Sequence, residues 1–144
     1  MKFKCLESCG GKCCNANWDK SAGFVFLTQK DRNRLSSFLG QTLSEFALLG
    51  EFAFTRFTSR RTRQWFLKDS RPACRFLKDG KCSVYQARPT QCRTFPFWPE
   101  LIDPNMVKLE KLKEFCPGIG EGDEVTHSGL SEQLRADFEL CQGN

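Results

Sequence analysis

The apolar residues change their period along the chain, and each change predicts an element. Phe24-Val25-Phe26-Leu27 is a short unbroken apolar run, suited to a buried strand or to an extended entry into the next element. Thr28 then stands as an N-cap, so Gln29 to Leu39 is expected to be helical. Asp31 falls in the first turn, where the helix dipole favours a carboxylate, and Gly40 is the stop. The same grammar predicts a second helix capped by Thr42, with Glu45 completing a capping box, Leu43, Phe46 and Ala47 as its apolar face and Gly50 at its end. From Phe52 the apolar positions Phe52, Phe54 and Phe57 take on a strand-like spacing.

Further on, Asp79-Gly80 between short flanks predicts a hairpin turn that brings Cys74 and Cys82 together at the open end. Pro89, Pro96 and Pro99 prevent a regular helix across their stretch and place Cys92 at a rigid bend walled by Phe95, Phe97 and Trp98. Met106 to Phe115 reads as a helix that stops at Cys116-Pro117-Gly118. Ser128 is the expected cap of a final helix, Gly129 to Leu140, in which Leu130, Leu134, Phe138 and Cys141 recur at helical spacing. Cys141 is therefore expected as a small core residue rather than a ligand, and His127 as a surface residue beside the cap. The pattern as a whole predicts an α+β fold: a small, loop-rich single domain, residues 1–144, with two or three helices and a β-hairpin organised around a cysteine-ligated metal site.

The cysteines supply the chemistry. Cys5, Cys9, Cys13 and Cys14 fall within ten residues, with Gly10 and Gly11 where the backbone must bend. Thiolates this close repel one another unless a cation or a disulfide neutralises them, so the segment reads as half of a metal site. The other half is Cys74, Cys82, Cys92 and Cys116. Adjacent cysteines are awkward as two ligands of one tetrahedral ion, so Cys13 and Cys14 are expected to serve different metal atoms, in two mononuclear sites or in a cluster. All-thiolate ligation selects zinc, iron-sulfur or copper(I) over magnesium or calcium. Two four-cysteine zinc sites fit the count, and so does one 4Fe-4S cluster with four thiols left for zinc or a second cluster.

Composition adjusts this picture only slightly. Among 144 residues, 40% are hydrophobic and 27% charged, ordinary values for a globular protein. No apolar run approaches the roughly 20 residues that span a bilayer, and no membrane role is expected. Met1 to Cys5 leads directly into the cysteine cluster without the apolar stretch of a secretory leader, which predicts a cytoplasmic location. Nine cysteines in a reducing cytosol favour metal over disulfides. The formal net charge of +5 would fall to about +1 once eight thiolates held two zinc ions, so the basic balance reads mainly as counter-charge to sulfur. Arg56, Arg60, Arg61 and Arg63, near Phe57 and Trp65, could contact a nucleic-acid backbone, but a solvated face is the simpler reading. Arg88 and Arg93 flank Cys92 either as surface charge or as donors to sulfur or an anion.

Taken in order, these residues resemble the cysteine-cluster family called CxxCxxCC or YkgJ-like, a family of zinc- or iron-chelating domains. The resemblance runs from Cys5 to about Gly122. It rests on the cluster ending Cys13-Cys14, Leu27-Thr28 with Asp31 and Arg34-Leu35, Cys74 with Phe76-Leu77, and Cys82 with Tyr85. Arg88-Pro89 with Cys92-Arg93, Phe95-Pro96-Phe97-Trp98 and Cys116-Pro117-Gly118 complete it. One departure is local: three residues, not two, separate Cys5 from Cys9 and Cys9 from Cys13. The resemblance implies metal binding. Related segments occur in flagellin lysine methylases, which implies as the alternative an iron-sulfur redox or accessory protein-modification role. No phosphate-binding glycine loop, nucleophile elbow or S-adenosylmethionine-binding domain is recognisable in the sequence, so binding is favoured over catalysis. A metallochaperone that hands its ion to a protein partner is the third reading.

Overall fold

The computed structural model describes residues 1–15, 24–53, 60–99, 101 and 107–142, with only the backbone of 107–110 and 126–127. Strand β1 (Lys2–Phe3) opens the chain, and two 3-10 turns, Glu7–Cys9 and Lys12–Cys14, carry the first cysteines. The apolar run before the first helix is extended, as its composition suggests. Phe26 bridges to Phe66, Leu27 N–H donates to Trp65 O at 2.9 Å, and Leu67 N–H donates to Val25 O at 3.0 Å.

Helix α1 (Gln29–Leu39) obeys its sequence signals closely. Thr28 Oγ1 accepts from Asp31 N–H at 3.2 Å, the Asp31 carboxylate accepts from Thr28 N–H at 3.2 Å, and Gly40 closes the helix at φ +62°. Such reciprocal bonds satisfy N–H groups that would otherwise lack partners at a helix start. Leu35 is buried on the inner face.

The second helix differs from expectation. Helix α2 (Leu43–Phe46) lasts one turn and gives way to strand β2 (Ala47–Ala53), so the helical reading to Gly50 is corrected. Thr42 N–H does donate to Glu45 Oε2 at 2.7 Å, but Leu48 and Leu49 are exposed and offer no apolar face for a second turn. Strand β3 (Arg61–Leu67) instead gives β2 a seven-residue antiparallel ladder, from Ala47 opposite Leu67 to Ala53 opposite Arg61. Tertiary pairing overrides the local helical signal here. The expected strand positions Phe54 and Phe57, and Arg56 of the arginine cluster, lie outside the described residues.

The hairpin of β4 (Leu77–Lys78) and β5 (Lys81–Cys82) turns at Asp79 and Gly80, with φ of 49° and 71°. Positive φ at both central residues is what the Asp-Gly signal anticipates. Helix α3 (Thr90–Thr94) comes next, then α4 (Val107–Phe115), β6 (Asp123–Glu124) paired antiparallel with β1, and α5 (Thr126–Cys141). Met106, the expected start of α4, lies outside the described residues. The described residues thus form five α-helices, correcting the expected two or three, since the five-residue α3 fits between Pro89 and Pro96; with short antiparallel strands they make a mixed α+β arrangement.

Helix α5 begins two residues before Ser128, whose Oγ donates to Val125 O at 3.0 Å, so Ser128 is not its cap. Its inner face is also rotated from the expected one. Gln133, Ala136 and Leu140 are buried, whereas Phe138 is 56% exposed. The reason is polar: Gln133 Oε1 accepts from Thr94 Oγ1 of α3, and Leu140 O accepts from buried Gln64 Nε2 of β3. These partners fix the helix rotation in place of the leucine stripe.

Two hydrophobic clusters hold the chain. The larger gathers Leu27, Leu35, Phe46, Leu67, Phe76 and Val84 around two buried alanines, and Cys74 and Cys82 pack against it. The smaller has only Phe95, Leu112 and Ile119 buried, and Cys116 and Phe3 pack against it. No described helix is long and apolar enough to cross a membrane.

Candidate metal centre

Two backbone stitches position the N-terminal cysteines. Cys74 N–H donates to Cys14 O at 2.8 Å beside a β-bridge of Asn15 with Ala73, which ties Cys14 to Cys74. Lys4 N–H donates to Gly118 O at 3.1 Å, which ties the start of the cluster to the Cys116-Pro117-Gly118 turn. That approach is close enough to demand glycine, since a Cβ at Gly118 would sit 2.1 Å from Lys4 O. Between the stitches, Gly11 at φ +70° lies against the β4–β5 turn, where a Cβ would stand 3.0 Å from Gly80 O. The N-terminal cysteine segment is therefore a pair of 3-10 turns braced on the hairpin.

The hairpin itself presents its cysteines unequally. Cys82 registers opposite Leu77, while Cys74 precedes the ladder in a turn closed by Leu77 N–H to Cys74 O at 2.9 Å. Cys92 rides on α3, whose start is held from α1 by a single buried carboxylate. Asp31 Oδ1 accepts from Thr90 N–H and Thr90 Oγ1, each at 2.9 Å, while Oδ2 accepts from Thr28 Oγ1 at 2.8 Å. One side chain thus serves as helix cap and as the link between elements 59 residues apart. The capping signal alone gives no sign of the second role.

The two arginines beside Cys92 separate. Arg93 pairs with Glu132 of α5 and is structural. Arg88 faces the cysteines: its Nε donates to Tyr85 O at 2.9 Å, its guanidinium lies 3.6 Å from the centre of the Tyr85 ring, and its own carbonyl accepts from Arg34 Nη1 at 2.9 Å. Stacking and hydrogen bonding hold the cation in one place.

Two adjoining cavities lie in front of these elements. The larger, about 390 Å³, is walled by Cys14, Cys74 and Cys82 on one side and by Phe95 and Trp98 on another. The smaller, about 30 Å³, is reached by Cys116. Cys5, Cys9, Cys13, Cys92 and Arg88 line both. All eight cysteines of the sequence-derived set thus stand on these walls, while Cys141, half-buried at the end of α5, lines neither. All nine cysteines are free thiols. Among the described residues, no three His, Cys, Asp or Glu side chains converge on one metal position, so the sulfurs ring the cavities rather than a common point.

Protonation is uneven along the walls. The Cys13 thiol is lowered to about 7 and Cys82 to about 6, first by the hydrogen of the Cys14 thiol that the two share, then by the Arg88 charge at Cys13 and by the Val84 backbone N–H and Arg88 at Cys82, against a desolvation that opposes both. Cys14, whose one thiol hydrogen serves the two, is pushed up and keeps its proton. Burial raises Cys74 and Cys92, and it pushes Cys116 up to about 11. Cys92 is half-buried only because it faces a cavity; protein surrounds its sulfur closely. A soft donor set with two thiols poised near neutrality and one fixed cation has the chemistry that zinc or thiolate-bound iron requires.

An α+β scaffold that gathers eight thiols on shared cavity walls defines a cysteine-cluster protein. The chain belongs to the CxxCxxCC family, described as a putative zinc- or iron-chelating domain, whose model matches residues 4–117. No solved structure matches the chain.

Proposed function

We propose that this chain is a metal-binding protein that holds zinc or iron through Cys5, Cys9, Cys13, Cys14, Cys74, Cys82, Cys92 and Cys116. The observation that carries the reading is the separation of eight cysteines from the ninth. Residues scattered from position 5 to position 116 meet on two cavity walls, and only Cys141 stands apart. Bound metal would neutralise the thiolates and tie the N-terminal segment to the hairpin, α3 and the turn after α4. On this reading residues 1–144 form one domain, stapled by its metal, in a reducing compartment such as the cytoplasm.

A second reading has an observation of its own. A cavity of about 390 Å³ lies in the range that holds small ligands and exceeds what one closed four-thiolate ion needs. That room favours an iron-sulfur cluster, with redox or accessory protein-modification work. Anaerobic purification, elemental analysis and a visible spectrum on one sample test both. Zinc in a colourless protein supports the structural staple, and iron with acid-labile sulfide and a brown colour supports the cluster. A reduced, folded chain that takes up neither metal overturns the proposal.

A further inference from the structure

We infer that the eight cysteines divide into two separate four-thiol sites, Cys14, Cys74, Cys82 and Cys92 in one and Cys5, Cys9, Cys13 and Cys116 in the other, so that the adjacent pair Cys13-Cys14 is split between them. This partition rests on the metal-binding reading and deepens it.

Three independent features draw the same line. The first is the backbone. One stitch joins Cys14 to Cys74, and the other joins the residue before Cys5 to the turn that carries Cys116. The second is the core: Cys74 and Cys82 pack on the larger hydrophobic cluster, whereas Cys116 packs on the smaller one. The third is the cavities. Cys14, Cys74 and Cys82 line only the larger, and Cys116 only the smaller.

The shared residues are assigned by their neighbours. Cys92 stands in the electrostatic reach of Cys74, Cys13 and Cys82, and Cys116 in that of Cys13, Cys9 and Cys5. Cys13 lies between the groups: it is hydrogen-bonded to Cys14 and stands in the electrostatic reach of Cys74, Cys82 and Cys92 as well as of Cys116. Two consecutive residues cannot both turn their sulfurs comfortably to one tetrahedral ion, so when Cys14 joins Cys74 through its stitched backbone, Cys13 is left for the other set. The smaller cavity, about 30 Å³, has room on the scale of one water or one ion, in keeping with a mononuclear second site.

Additivity of metal loss tests the partition, whatever the metal. Reduced wild type, Cys9→Ser, Cys116→Ser, Cys74→Ser and the doubles C9S/C116S and C74S/C116S are loaded with zinc(II), desalted and assayed for zinc per chain, with far-ultraviolet circular dichroism as the fold check. Each single variant should lose one site's share and keep the other's. C9S/C116S should lose no more than either single, and C74S/C116S should lose both shares. A folded Cys116→Ser that loses all its zinc, or none, overturns the partition. A serine variant can fail to fold, so wild type supplies a second reading. Cobalt(II) added stepwise should give a paramagnetic resonance signal that grows in proportion through both sites. A signal that falls as the second site fills means sulfur bridges between ions and overturns the separation. A wild type that binds neither zinc nor cobalt instead overturns metal binding itself, which is a distinguishable failure.

Discussion

The two hydrophobic clusters make unequal supports for the same chemistry. Around the larger, eight buried apolar residues, a reciprocal helix cap and the four hydrogen bonds to Asp31 hold Cys74, Cys82 and Cys92 with no help from metal. Around the smaller, three buried residues and two-residue strands hold Cys5 and Cys116. Burial stabilises in proportion to apolar area, so the first region is the better supported, and on the metal-binding proposal the second would gain more from what its thiols bind. The difference teaches that one set of cysteines can contain a half braced by a core and a half with little apolar support of its own.

The largest effect should come from attacking the stronger support. Leu35→Ala leaves a cavity in the larger cluster, and urea unfolding of the metal-loaded protein should show a loss of about 3 kcal/mol. Asp31→Asn comes second at about 2 kcal/mol by the same measurement, because the amide nitrogen turns a donor toward Thr28 or Thr90, which also donate. A cost near zero would remove Asp31 as the link to Cys92. Chelation should sharpen the contrast next. Hydrogen exchange at β1, β6 and the Cys116 turn should speed up about tenfold, equivalent to about 1.4 kcal/mol, while α1 stays protected. Equal deprotection of α1 would erase the comparison. Ile119→Val, a small trim in the smaller cluster, should cost about 1 kcal/mol.

The smallest effect concerns pH. Burial raises Cys116 to about 11, above the ordinary thiol value of about 8.5, so its folded form holds a proton that the unfolded chain releases earlier. The metal-free protein should therefore keep this contribution below the ordinary thiol pKa and lose it as pH rises from there towards 11. Urea midpoints measured at increasing alkaline pH should fall. Metal uptake at the proposed ligands should run the other way: it would expel protons from the raised thiols Cys74, Cys92 and Cys116, so apparent affinity should climb with pH.

Much of this was readable from local rules. Thr28, Asp31 and Gly40 bound α1 and Asp79-Gly80 makes its hairpin, whereas Cys141, expected in the core, is half-buried and belongs to neither hydrophobic cluster. The misreadings fall where distant partners decide. Residues 47–50 follow a helix-like start yet pair with β3, and α5 turns a polar residue inward because Thr94 awaits it. The β1–β6 pairing was unreadable, since two-residue strands have no periodicity to detect. The second role of Asp31 was equally hidden, because Thr90 is near it only after folding.

The bond from Lys4 to Gly118 sets an order on the birth of the protein. A ribosome adds about 5 to 20 residues per second, so Cys5 and Cys9 emerge many seconds before the turn that holds Cys116. Cys14, Cys74, Cys82 and Cys92 are all available earlier, beside the cluster of residues 27–87 that supports them. On the metal-binding proposal, the first set could therefore be loaded on a nascent chain. The stitched ends would wait for the last turn to arrive, and in that interval their thiols would be open to oxidation or to the wrong metal.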